Sequence, residues 1–178
     1  MVNRMMRCAA GLLVLAAMSG PARAEESPIS FVAGPFAGAT AEETEHKQED
    51  LTEMGATKTS NSAVFRANGM VALVYWSRLS LDYRWLDGGN DLNSLSSLVQ
   101  RAFKASGTVL VRGDRTSVNG FMADYRIVSL TGTNDRCGLF ILKRNKNLIS
   151  GFACAPSGRD VPVEAVMEGI SIDNVIGP

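Results

Sequence analysis

The chain has a single histidine, His46, and three cysteines, one of which, Cys8, falls in the first 24 residues. One imidazole makes Ser-His-Asp hydrolysis a poor fit, because His46 sits in an acidic stretch with no nucleophile-elbow sequence beside it. Two remaining cysteines, Cys137 and Cys154, cannot supply the paired close spacing of a zinc ribbon. Phosphate-loop and dinucleotide patterns are missing as well: Gly88-Gly89 lacks the further glycine and lysine such loops need. After Met18 no apolar run approaches the roughly 20 residues that span a bilayer. No internal repeat or low-complexity tract is present.

What is there begins with an address. Arg4 and Arg7 precede the apolar run from Cys8 to Met18, and the small-residue site Ala22-Arg23-Ala24 precedes Glu25. This order predicts a secretory leader over residues 1–24, cleaved after Ala24, since the apolar core is too short for an anchor. Cys8 opens that core instead of following it and so cannot carry the lipid of a lipoprotein. The style of the leader points to the bacterial periplasm, with full secretion as the second destination. Residues 25–39, with Pro28, Pro35, Gly34 and Gly38, read as an extended lead-in, and residues 40–178 as one domain.

An oxidising destination gives Cys137 and Cys154 a role. They flank two apolar runs, 137–142 and 148–154, joined by the polar Lys143-Arg144-Asn145-Lys146-Asn147. A turn centred between Asn145 and Lys146 places Leu142 opposite Ile149 and Cys137 opposite Cys154, within disulfide reach. The alternative is a pair of buried free thiols acting as small hydrophobes.

Without Arg4, Arg7 and Arg23 the 18 basic residues fall to 15 against 18 acidic ones, a net charge of −3. No basic footprint for nucleic acid exists in that balance. Acids crowd residues 25–53, where Lys47 is the only base, so the body that follows is mildly basic.

Thr40-Ala-Glu-Glu43 has capping-box spacing and predicts a mostly solvated helix from Ala41 to Met54. Asn68-Gly69 between two apolar runs predicts a hairpin. The second run extends toward Tyr83 and Trp85, with a break expected near Ser77–Ser80. Leu92, Leu95, Val99, Ala102 and Phe103 recur at helical spacing. A short strand at Thr108–Val111, an alternating strand from Phe121 and the cysteine hairpin form a meander. Asp160 is expected to cap a last helix with Val163, Val166, Met167 and Ile170 on one face. Together these predict an α+β fold: a single antiparallel β-sheet of about six strands with helices packed on it.

Candidate chemistry is sparse. Glu42, His46 and Asp50 would share one helix face, a row that could hold zinc but reads better as a water-facing stripe. Met54, Met70, Met122 and Met167 are too dispersed for copper and read as core filling. Asp82, Asp87, Asp124 and Asp135 could converge as paired carboxylates for glycoside hydrolysis, although each also suits a turn or an outward strand position. No catalytic, metal-ligating or cofactor-binding residue is assigned, and no cofactor is implied. The possible interaction surface is Tyr75, Trp76, Tyr83 and Trp85, together with the cationic Lys143, Arg144 and Lys146. Arg112-Gly113-Asp114 spells an adhesion tripeptide and is read as a turn.

From Asp91 onward the chain resembles the Mog1/PsbP-like group, a family that also resembles bacterial periplasmic DcrB-like proteins. The resemblance over residues 91–172 rests on the helix Leu92 to Phe103, the segment Val118 to Tyr125, the hairpin Leu139 to Ala155 and the closing Val166 to Ile172. The usual opening strand with an aromatic after a Pro-Gly turn is missing. The resemblance implies an α/β/α sandwich and an accessory or assembly role without an active site. The expectation is a non-catalytic periplasmic or secreted module contacting another envelope protein or a small ligand. A cell-envelope hydrolase and a secreted factor acting on a host are the alternatives.

Overall fold

The computed structural model describes residues 27–51, 55–80, 91–156 and 159–173. Nine strands and two α-helices occur among them: β1 (Ile29–Phe31), β2 (Ala41–Leu51), β3 (Ala56–Ala67), β4 (Met70–Leu79), α1 (Asp91–Ala102), β5 (Gly107–Val118), β6 (Phe121–Thr131), β7 (Arg136–Arg144), β8 (Asn147–Ala155), α2 (Val163–Gly169) and β9 (Ile170–Ile172). Seven strands form one antiparallel sheet in the order β2-β3-β4-β8-β7-β6-β5, and β1 pairs with β9 in a second, two-stranded sheet.

This architecture overturns the expected α+β sandwich on one six-stranded sheet. The chain is mostly β, with two sheets and only short helices among the described residues. Three departures account for the change. Residues 41–51 form a strand, not a helix, paired with β3 from Ala41↔Phe65 to Leu51↔Ala56. The short strand expected at Thr108–Val111 runs on through Arg112-Gly113-Asp114 to Val118, so that tripeptide is strand, not turn. In the lead-in, β1 pairs with β9 at the other end of the chain.

Local sequence explains the elements that agree. Asn68 and Gly69 have φ of 52° and 75°, and Ala67 faces Met70 across a two-residue turn. That positive-φ pair matches the twist of the flanking strands. Asn119-Gly120 repeats the device between β5 and β6, with Val118 facing Phe121. Strands β5 to β8 pair in chain order as a meander. β4 joins them by pairing with β8, from Val71↔Cys154 to Arg78↔Asn147.

Alternation on the strands divides the core between the two faces of the sheet. One face carries Ala63, Phe65, Ala72, Val74, Tyr125, Phe140 and Ile149, covered by α2, the 3-10 turn Gly34–Phe36 and the β1–β9 ribbon. Phe31 anchors this layer with its ring 4.9 Å from Phe65 and 5.1 Å from Phe36. Gly138 admits α2, because a Cβ there would stand 2.7 Å from Val163 Cγ2. The opposite face carries Val128, Leu130, Cys137, Leu139, Phe152 and Cys154 beneath Leu92, Leu95 and Val99 of α1. Asp160 does not cap α2: Pro162 stands at the cap position without a side-chain bond, and Asp160 pairs with Arg136.

Cys137 and Cys154 are bonded, with their Cα atoms 4.1 Å apart, in the register set by the Asn145-Lys146 turn. Both are buried. No helix among the described residues is long and apolar enough to cross a membrane.

Candidate functional site

Helix α1 packs on β5 to β8 and leaves the β2–β3–β4 half of its face without a covering helix. A groove of about 530 Å³ opens there. Its floor comes from three neighbouring strands: Ser60 and Ser62 of β3, Tyr75 and Ser77 of β4, and Leu148 and Ser150 of β8. Leu95, Leu98, Ser94 and Arg101 of α1 make one wall, and Glu45, Lys47 and Glu49 of β2 the other. The size falls within the range of sites for small ligands.

The floor is rich in hydroxyl groups. Ser60 and Ser77 face each other in register with their Oγ atoms 3.0 Å apart. Ser62 faces Tyr75, which faces Ser150 on its other side. Burial, and secondarily the Glu45 carboxylate, raise the Tyr75 phenol above its ordinary pKa, so it remains a neutral donor and acceptor at physiological pH. At the rim Glu49 pairs with Lys47 and, at 3.4 Å, with Lys58. The Lys47 interaction raises the pKa of its ammonium and lowers that of Glu49, first through the hydrogen bond between them.

On the other face, Trp76 is buried and its Nε1 donates to Asn147 Oδ1 at 3.3 Å. Tyr75 and Trp76 therefore serve opposite faces and do not form one aromatic patch. Tyr83 and Trp85 lie outside the described residues, as do Asp82, Asp87 and Met54. Lys143 and Arg144 end β7 and Lys146 lies in the β7–β8 turn, and the Arg144 guanidinium lies 5.7 Å from the Phe121 ring centre.

The zinc-row geometry dissolves with the helix. On a strand Glu42, His46 and Asp50 stand about 13 Å apart in succession. Each has a different partner: Glu42 accepts from Arg66 Nε at 2.8 Å, His46 Nδ1 donates to Asn61 Oδ1 at 2.9 Å, and Asp50 accepts from Thr57 Oγ1 at 3.2 Å. Asp124 is bound by Arg115 at 2.6 Å, whereas Asp135 lies past the far end of β6, six or more strand residues and about 20 Å away. Those two carboxylates do not converge.

One cluster went unnoticed in the sequence. Tyr125 is buried on β6, and its hydroxyl donates to Glu164 Oε1 of α2 at 2.5 Å. Arg112 Nη2 of β5 lies 3.4 Å from the same oxygen and 3.3 Å from the Tyr125 hydroxyl. The bond to Glu164 is the main cause that raises the Tyr125 pKa, with burial second. Glu164 and Arg112 remain half-exposed, and the cluster ties α2 to the sheet. No protein-family model matches the chain, and no curated protein or solved structure shows significant similarity to it.

Proposed function

We propose that the chain is a non-catalytic binding module of the bacterial envelope, exported to the periplasm or beyond, that holds a small polar ligand or a segment of an envelope component. The groove on the half-covered sheet face is the observation that carries this reading. Strand serines supply paired donors and acceptors on a floor held by backbone ladders, and Leu95 and Leu98 offer an aliphatic wall beside Leu148. The buried disulfide fits an oxidising compartment. At its rim Glu49 is held by Lys47 and Lys58, while Glu45 and Arg101 stand on opposite walls.

Soluble muropeptides from peptidoglycan, which combine sugar hydroxyls with peptide amides, are the first probe. Amide chemical shifts of the labelled protein should move at Ser60, Ser62, Tyr75, Ser77 and Leu98 and stay still at β5. Ser62→Leu would fill the groove and abolish those shifts with the melting temperature preserved. Shifts confined to another surface would remove the groove from the reading. Silence across muropeptides and other envelope saccharides and peptides, with envelope function intact on deletion of the gene, would defeat it.

A further inference from the structure

We infer that the outer edge of β5 pairs with β5 of a second copy, joining two seven-stranded sheets into one across a two-fold axis at Gly113. β5 ends the sheet, and among the described strands none lies on its outer side. A long free edge is a template for another strand, and proteins blunt edges they keep solitary with charge, bulges or cover. Both edges of this sheet carry charge and a register shift, but they differ in charge balance. β2 carries Glu42, Glu43, Glu45, Glu49 and Asp50 against Lys47, so two β2 strands side by side repel. β5 instead exposes Val109, Leu110 and Val111, at 60%, 61% and 50% of their full area.

Charge complementarity selects the partner. Antiparallel pairing about Gly113 places Arg112 opposite Asp114 of the other copy, and the symmetry creates the same pair twice. Both residues stand on the α2 face of β5, opposite Ile127 and Tyr125 of β6. A perpendicular two-fold keeps that face continuous across the joint. The bulge between Leu110 and Arg112 lies beside this centre, so the regular ladder covers Arg112–Asp114 of each copy and loosens beyond it. The apolar Val109 to Val111 then lies over the other copy's Arg115 to Ser117. This inference is independent of the groove, which lies toward the opposite edge.

Sedimentation equilibrium of the purified, oxidised protein should show a reversible monomer–dimer equilibrium. Asp114→Arg and Arg112→Asp each set like charges face to face twice, and each should weaken dimerisation about tenfold. The double exchange R112D/D114R restores complementarity and should recover most of the loss. Leu110→Lys, at an exposed position, should weaken the dimer without altering the circular dichroism. Asp114→Arg leaves the Arg112–Glu164 contact in place, so it reports on pairing even if Arg112→Asp loosens α2. A wild-type protein that stays monomeric up to about 1 mM would overturn the inference. So would a dimer indifferent to the single exchanges, which would have to use another surface.

Discussion

Reduction of Cys137–Cys154 should lower stability by about 3 kcal/mol. The bridge joins residues 17 apart in sequence, and the chain-entropy relation for a loop of that length gives about 3 kcal/mol at 25 °C, arising in the unfolded chain. Both cysteines are 2% exposed or less, packed with Leu139, Phe152 and Leu92, so a reductant acting on the folded protein should find almost no sulfur to attack. The reduced form must therefore be made by unfolding in reductant and refolding. Its two thiols still fill the same volume, so little packing energy is lost and the comparison isolates the covalent link. Urea titrations of the oxidised and reduced forms read the difference directly. With a slope of about 2 kcal/mol per molar urea, the midpoint should fall by about 1.5 M, and the slope should rise slightly because the unreticulated chain exposes more surface. A midpoint shift below about 0.3 M would refute the reasoning, since it would mean the unfolded chain keeps these strands together without the bond.

Tyr125→Phe should cost about 1 kcal/mol by removing the hydroxyl that binds Glu164. Because folding raises the Tyr125 pKa, the stability difference between wild type and variant should hold steady below about pH 10, the unfolded tyrosine value, and shrink as pH climbs through the raised folded value; a difference that grew there would contradict the assignment. Gly151→Ala should destabilise by about 3 kcal/mol or more in urea titrations, because a Cβ at this central strand position would stand 2.2 Å from the Leu73 carbonyl oxygen and 3.0 Å from Phe140 Cζ; a loss under about 1 kcal/mol would show that the β4–β8 ladder can yield.

The legible parts of the fold were those in which local chemistry and burial agree. Asn68-Gly69 fixes a turn, and alternation from Ala63 to Val74 confirms it with buried residues on one face. Leu92, Leu95 and Val99 mark α1 because they meet a core. The sheet's two edges carry no such agreement. From Glu42 to Gln48 the side chains described are all exposed, so no period of two could be read, and Thr40-Ala-Glu-Glu43 met the local rule for a helix start. What decides the conformation is the ladder with β3, aided by cross-strand pairs such as Glu42 with Arg66, and those partners are remote in sequence. β5 was cut short for the same reason, since its exposed Arg112 to Ser117 reads like a turn. The pairing of Ile29–Phe31 with Ile170–Ile172 leaves no local trace at all. The groove was within reach: carrying the Asn68-Gly69 register outward sets Ser60 against Ser77 and Ser62 against Tyr75, a run of small polar residues where a covered face would need apolar ones.

That run of serines follows from how much one helix can cover. Seven strands at about 4.8 Å spacing span about 29 Å, while a helix with its side chains is about 10 Å across, so α1 can shelter only part of its face. The sheet opposes it with Leu139, Phe152 and the disulfide where it is covered, and turns polar toward β2 where it is not. Solvation alone would be met as well by long charged side chains, which is how β2 is built. Ser60, Ser62, Ser77 and Ser150 instead keep the floor low, while α1 on one side and the Lys47, Glu49 and Lys58 rim on the other stand above it. Short hydroxyls below raised walls create concavity, and concavity contributes nothing to folding. It makes sense on a surface whose task is to receive something, and on that ground the serine floor supports the binding role proposed above.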